Sequence, residues 1–204
     1  AVEEAALAAV EEVVFNLRKE RVMTQKYFGL QWHITDSCDQ RCKHCYIYAG
    51  KDLCKNNELP LKKLSAILQD FIVTCKKMKR IPFISVTGGD PLLYKNVWDF
   101  LELLKQNNIK FAVLGNPFHI TDEVSMKLKD YGCINYQMSL DGLEETHDFI
   151  RKKGSFTETL SKLNCLRKAG IATTIMTTVS KSNIDEIPNL IDVVVKYEVD
   201  NFAF

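Results

Sequence analysis

Residues 28–45 read FGLQWHITDSCDQRCKHC, and this stretch sets the framework for the rest of the chain. Side chains of a β-strand point alternately to its two faces. The first eight residues follow that alternation, with apolar side chains on one parity and polar ones on the other: Phe28, Leu30, Trp32 and Ile34 against Gln31, His33 and Thr35. Three cysteines follow directly. The stretch therefore predicts a strand that carries a cysteine-rich loop at its carboxyl end.

The strand pattern recurs along the chain. Further β-rich runs lie at 82–87, 110–116, 134–140 and 172–179, and a sixth run opens at Asn201. Each of the longer runs is followed by a helical pattern. Strands that alternate with helices at about 30-residue spacing are typical of βαβ units with a parallel sheet. The sequence predicts five complete units and a sixth that is truncated at its strand.

Each predicted strand has one polar face. In the fourth, Asn135, Gln137, Ser139 and Asp141 share the parity opposite to the apolar side chains. Central strands of a parallel sheet covered by helices on both faces are usually apolar on both. We therefore expect an α/β fold with a curved, open parallel sheet, a partial (β/α)6 TIM-like barrel with a polar cavity inside. A flat sheet with one solvated face is the alternative.

Two helix starts carry a capping-box pattern, in which a small polar residue is followed three positions later by Glu. These pairs are Ser155 with Glu158 and Asn183 with Glu186. The pattern predicts that both Ser155 and Asn183 cap helices with their side chains.

Composition bounds the classes of function. The chain has 204 residues and a formal charge of +1, which gives no general attraction to nucleic acid or to anionic membranes. It has neither a transmembrane-length apolar run nor a signal-peptide layout, and we expect a reducing, cytoplasmic setting. Residues 1–22 have a helical pattern and are predicted to be an appended or upstream segment before a core domain over 23–204.

The cysteine spacing is the decisive chemical feature. Cys38, Cys42 and Cys45 lie in the loop after the first predicted strand. Three thiolates this close can hold three irons of a cubane cluster and leave the fourth iron open to a chelating small molecule. Structural zinc is the alternative, because His44 or Cys54 offers a fourth ligand, although zinc sites usually pair two Cys-x2-Cys units.

The Cys-x3-Cys-x2-Cys motif after a first strand resembles the signature of the radical S-adenosylmethionine (radical SAM) superfamily. The resemblance assigns Cys38, Cys42 and Cys45 to a 4Fe-4S cluster. The stretch Gly88-Gly89-Asp90-Pro91 ends the second strand where the family usually has Gly-Gly-Glu-Pro. It implies that Gly88, Gly89 and Asp90 receive the amino group of SAM, with Asp90 one methylene shorter than the usual Glu.

A third stretch, beginning Ser139-Leu140-Asp141-Gly142, resembles the branch of the superfamily that modifies peptides and some tetrapyrroles. In that branch a serine and an arginine twelve residues later hold the ribose or carboxylate of SAM, which implies these roles for Ser139 and Arg151. Asn116 and Asp141 are cavity candidates from their strand parity. His44 stands where the family has an aromatic residue near the adenine.

The resemblance implies an enzyme that reductively cleaves SAM to a 5′-deoxyadenosyl radical, which then abstracts hydrogen from a substrate. The expected substrate is a ribosomal precursor peptide, and the expected electron donor is a flavodoxin or ferredoxin. Two alternatives stay open: a tetrapyrrole-modifying radical SAM enzyme, and a non-catalytic iron-sulfur or zinc-binding regulatory module. We also expect the chain to be the core of a longer protein.

Overall fold

The computed structural model describes residues 26–48 and 58–204. The helix predicted within residues 1–22, and Cys54, lie outside these ranges. The described elements, in chain order, are β1 (Tyr27–Thr35), α1 (Leu61–Lys77), β2 (Ile81–Gly88), a 3-10 turn (Pro91–Leu93), α2 (Val97–Gln106), β3 (Lys110–Leu114), α3 (Asp122–Tyr131), β4 (Cys133–Ser139), α4 (Glu144–Ile150), α5 (Ser155–Lys168), β5 (Ala172–Met176), a second 3-10 turn (Ile184–Glu186), α6 (Ile187–Lys196) and β6 (Asn201–Ala203).

The six described strands form one parallel sheet in the order β1-β2-β3-β4-β5-β6. Each strand pairs with its neighbours in sequence, and β1 and β6 stay at opposite edges of the sheet. The predicted open, parallel α/β sheet is confirmed. β3 and β5 end earlier than predicted because the chain leaves the sheet there and turns into loops at its carboxyl edge.

The two faces of the sheet differ as the strand alternation predicts. One face packs under the helices and supplies fully buried apolar side chains from successive strands: Ile84, Val86, Phe111, Tyr136, Met138 and Ile175. Burying each such side chain contributes about 1.5–3 kcal/mol. The other face carries Gln31, Gln137 and Ser139 into a cavity. The predicted polar interior is therefore present in the structure.

Both predicted capping boxes are wrong. Ser155 is the first residue of α5, and the N-cap position is taken by Gly154 at φ +81°. Asp148 from α4 supplies the acceptor instead, since its Oδ1 lies 2.9 Å from the amide nitrogen of Phe156. The side chain of Asn183 turns back to the amide of Ser180, so it does not cap the 3-10 turn.

Among the described helices, none is both long and apolar enough to cross a lipid bilayer.

Candidate functional site

A cavity of about 230 Å³ opens at the carboxyl ends of β1 to β4. In open parallel sheets this edge is where ligands bind. Side chains or backbone from β1, from the cysteine loop, from the ends of β2 to β4 and from the residue that follows α4 line it: Gln31, Cys38, Gln40, Cys42, Cys45, Tyr46, Ile47, Thr87, Gly88, Gly89, Leu114, Gly115, Asn116, Gln137, Ser139 and Arg151. Eight of the eleven residues singled out from the sequence thus line one cavity: the three cysteines and five others.

The eight that line the cavity are the three cysteines together with Gly88, Gly89, Asn116, Ser139 and Arg151. The other three, His44, Asp90 and Asp141, lie next to these residues without lining the cavity themselves. Their contacts, described below, show what each one holds in place.

The three cysteines of the loop after β1 are free thiols and are partly buried. The amide of Cys45 donates to the carbonyl of Cys42 at 3.0 Å, and the amide of Lys43 donates to the carbonyl of Ile150 at 2.9 Å. The second bond fastens the loop to α4. Nδ2 of Asn116 lies 3.2 Å from Sγ of Cys38, so the end of β3 reaches the first cysteine.

Burial raises the pKa of the Cys38 and Cys42 thiols, and the guanidinium of Arg151 opposes that effect at Cys42. The Nη1 atom of Arg151 is 3.8 Å from Sγ of Cys42. Thiols whose pKa is raised stay protonated at neutral pH unless a positive group stabilises the thiolate, and a coordinated metal does this most strongly. Metal binding at Cys38 and Cys42 would therefore displace their thiol protons.

Gly88 and Gly89 allow the end of β2 to pack directly against the loop after β1. A Cβ atom on Gly88 would lie 2.2 Å from the carbonyl oxygen of Thr35, and one on Gly89 would lie 2.2 Å from that of Ser37. Gly88 also has φ +146°, a conformation that favours glycine. The two glycines thus bring the cavity wall up to the base of the cysteine loop.

Asp90 is fully buried and caps the 3-10 turn, since its Oδ1 accepts a hydrogen bond from the amide of Leu92 at 3.1 Å. Burial raises the pKa of this carboxyl group to about 6. The carboxylate is near Gly115, on which a Cβ atom would lie 3.1 Å from Oδ1. Asp90 therefore supports the loops at the end of β2 and β3 from below the surface of the cavity.

Asp141 is also fully buried, and both of its carboxylate oxygens have partners. Oδ2 lies 2.5 Å from Nε of Arg151, and Oδ1 accepts a hydrogen bond from the amide of Thr178 at 2.9 Å. Nε2 of His44 is 3.6 Å from Oδ2. Asp141 thus joins the cysteine loop, α4 and the loop after β5 at one carboxylate.

Further residues that sequence reasoning did not assign to the site surround Asp141. Nδ1 of the buried His147 accepts from the amide of Asp141 at 3.0 Å, and Nδ2 of Asn183 donates to the carbonyl of Asp141 at 3.1 Å. Glu186 accepts from the amide of Leu143 at 2.7 Å. In the sequence, His147 was part of the third family-like stretch without a role at the site, and the Asn183–Glu186 spacing indicated a helix cap instead.

Gln40 also belongs to the site, although the sequence did not assign it there. It is almost fully buried and lines the cavity, and its Oε1 lies 3.4 Å from Sγ of Cys42. Its position between two cysteines was the available signal. Gln31 and Gln137, which also line the cavity, stand on the polar parity of their strands.

Comparison with known proteins decides the family. The sequence profile of the Radical SAM superfamily matches residues 32–194, which include the cysteine loop and, apart from Gln31, every residue of the site described above. The chain belongs to the radical SAM superfamily. Enzymes of this superfamily use a 4Fe-4S cluster and SAM.

Two relatives show the range of radical SAM enzymes that this chain resembles. It is 29% identical over 174 residues to the Fe-coproporphyrin III synthase of Methanosarcina barkeri, covering 85% of this chain and 42% of the relative. It is 26% identical over 170 residues to the mycofactocin maturase MftC of Mycolicibacterium smegmatis, covering 82% of this chain and 42% of the relative. The chain thus spans less than half the length of these relatives.

A solved structure supports the fold. The Streptococcus suis protein SuiB, in its crystal structure bound to the precursor peptide SuiA, superposes with a TM-score of 0.69 at 20% sequence identity. The match covers 94% of this chain and 43% of that one. The barrel-like arrangement of the six-stranded sheet is therefore that of the radical SAM fold.

The donor set of this radical SAM chain fits a 4Fe-4S cluster. Cys38, Cys42 and Cys45 face one cavity, yet their sulfur atoms do not form a group within 4.8 Å of one another. A single tetrahedral zinc ion would hold its sulfurs about 3.8 Å apart. A cluster presents a separate iron to each thiolate, so it accommodates the wider spacing. The zinc alternative would use His44 as a fourth ligand, but the His44 side chain instead faces Asp141.

Proposed function

We propose that this chain is the catalytic core of an enzyme that cleaves SAM reductively at a 4Fe-4S cluster. The observation that carries the proposal is the convergence of three free cysteine thiols, Arg151 and Ser139 on one cavity at the carboxyl edge of the sheet. When bound, the reduced cluster supplies one electron that cleaves SAM to methionine and a 5′-deoxyadenosyl radical.

The polar residues around the cavity suggest how SAM would be held. Ser139 and Arg151 are proposed to contact its ribose or carboxylate, because a guanidinium gives a charge-assisted hydrogen bond to a carboxylate. The backbone at Gly88 and Gly89 is proposed to meet its amino group, and Asn116 to contact SAM from the end of β3. His44 remains a proposed neighbour of the adenine.

Asp141 and Asp90 are better placed to hold other residues of the proposed SAM site in position than to contact SAM themselves. Asp141 acts through Arg151, since it already has a partner at each oxygen. Asp90 is fully buried, so direct contact with SAM would require its side chain to move. Fixing the guanidinium in advance lowers the entropic cost of orienting SAM.

The proposed substrate is a ribosomal precursor peptide. Support comes from the mycofactocin maturase among the relatives and from the peptide complex of SuiB. A flavodoxin or ferredoxin is proposed as the electron donor, and the cytoplasm as the setting. The Fe-coproporphyrin III synthase among the relatives supports a second candidate, a tetrapyrrole substrate.

Deuterium transfer tests these two substrates. The reconstituted, reduced protein is incubated with SAM and either deuterated candidate peptides, translated from short reading frames beside its gene, or a deuterated tetrapyrrole precursor of Fe-coproporphyrin III. The proposal expects deuterium in 5′-deoxyadenosine with a peptide only. Deuterium from the tetrapyrrole alone would establish the second candidate instead.

A further inference from the structure

A second group of potential metal ligands lies beside the cysteine loop. It consists of Asp39 from the loop, Asp90 after β2 and His119 after β3. One ligand atom from each lies within 4.8 Å of the others, and within residues 26–48 and 58–204 this is the one group of three or more such side chains that does so. It contains none of the three cysteines.

Two atoms of this group are buried without a hydrogen-bond partner among the described residues. They are Oδ2 of Asp90, whose residue is 0% exposed, and Nε2 of His119. Nε2 is 3.4 Å from Oδ2 of Asp39, at ion-pair distance but without hydrogen-bond geometry. Leaving a buried polar atom unsatisfied costs about 1–3 kcal/mol, so two such atoms in one group indicate a missing common partner.

The chemistry of the group favours a cation as that partner. Two carboxylates and one imidazole are ligands for divalent first-row metals such as zinc and manganese. Magnesium and calcium prefer oxygen ligands throughout, so the imidazole disfavours them. The carboxylate of Asp90 is buried, and a cation would offset the cost of its negative charge.

We propose that Asp39, Asp90 and His119 bind one divalent transition-metal ion, zinc or manganese, at a site separate from the cysteines. The ion connects the cysteine loop to the loops after β2 and β3. Asn116 links this site to the cluster site, because its Nδ2 lies 2.9 Å from Oδ1 of Asp39 and 3.2 Å from Sγ of Cys38. Metal binding here would brace the loop that carries the first cysteine.

The test is a titration of the cluster-loaded, oxidised protein with Mn²⁺, followed by the electron paramagnetic resonance signal of free Mn²⁺, with Zn²⁺ as competitor. We expect one Mn²⁺ per chain, displaced by Zn²⁺. Asp90→Asn and His119→Gln should each weaken binding at least tenfold. His33→Gln is the matched control, since His33 pairs with Asp36 at 2.8 Å outside this group, and it should bind as the unmodified chain does.

Iron content and the cluster absorbance, measured in every sample, separate this site from the cysteine site. If Asp90→Asn fails to fold or to hold its cluster, His119→Gln decides the question, because the His119 side chain is 39% exposed. The proposal is overturned if the unmodified chain binds neither metal, if both variants bind like the control, or if Mn²⁺ binds only as iron is lost.

Discussion

Nε of Arg151 lies 2.5 Å from Oδ2 of Asp141, a carboxylate that is completely shielded from solvent. The pair joins the end of β4 to the end of α4. Arg151 reaches the cavity from this anchor, with Nη1 3.8 Å from Sγ of Cys42. Removing one partner of a buried ion pair leaves the other charge uncompensated, which typically costs about 3–5 kcal/mol.

Replacing either partner should therefore weaken SAM binding. Asp141→Asn keeps the shape of the side chain but removes the charge that orients Arg151, and we expect SAM affinity to fall about tenfold, equivalent to about 1.4 kcal/mol. Arg151→Ala should reduce affinity at least as much. Calorimetric titration of the cluster-loaded protein measures both, with iron content unchanged.

Lys153→Ala is the control for these two variants, because Lys153 is an exposed cation two residues beyond Arg151. It should leave SAM affinity unchanged. Unaltered affinity in Arg151→Ala would show that its proposed contact with SAM is wrong.

The close approach at the end of β2 gives a second prediction. Gly89→Ala places a Cβ atom 2.2 Å from the carbonyl oxygen of Ser37, a backbone atom that cannot move without shifting the cysteine loop. We expect this variant to lose most of its iron after anaerobic reconstitution. Gly29→Ala, where a Cβ atom meets nothing within 4 Å, should load normally. Equal iron content in the two variants would refute this role for Gly89.

The pH dependence of the free energy of unfolding tests the role of His147, which accepts a hydrogen bond from the amide of Asp141. Burial lowers the pKa of His147 to about 4, below its ordinary value of 6.5. Between these values the unfolded chain binds a proton that the folded chain does not, so the free energy of unfolding falls as the pH falls. The loss from this group is about 2 kcal/mol between about pH 7.5 and about pH 5.

His147→Gln removes this titration but keeps an acceptor for the amide of Asp141. Urea unfolding of the two cluster-loaded proteins at both pH values measures the difference. The opposite contribution of Asp90, whose pKa is raised, is common to both and cancels. Parallel pH dependence in the two proteins would contradict the assignment of a buried, neutral His147.

The sheet could be predicted because its signals are local. The alternation around Trp32 and the helical patterns between strands depend on neighbours in sequence, and these fixed the order and direction of all six strands. The cysteine motif is equally local. The alternation of polar and apolar residues did not predict where β3 and β5 end. The end of each strand depends on where the chain stops pairing with the neighbouring strand.

The support around the site could not be predicted because its contacts are distant in sequence. Glu186 binds the amide of Leu143 across 43 positions, and Asn116 reaches Cys38 across 78. A local capping pattern was therefore assigned to Glu186, whereas tertiary contacts determine its role. The burial of Asp90 and Asp141 likewise follows from packing that no short motif records.

The most direct test of the central claim is the formation of 5′-deoxyadenosine by the reconstituted chain. The protein is reduced with dithionite under anaerobic conditions, supplied with SAM, and analysed by mass spectrometry. Cys38→Ala, Cys42→Ala and Cys45→Ala serve as test variants, and Cys165→Ala, a free thiol on α5, serves as the control. We expect product from the unmodified chain and from Cys165→Ala, and none from the three test variants. Absence of product from the unmodified chain with its cluster intact, or equal product from the test variants, would contradict the account.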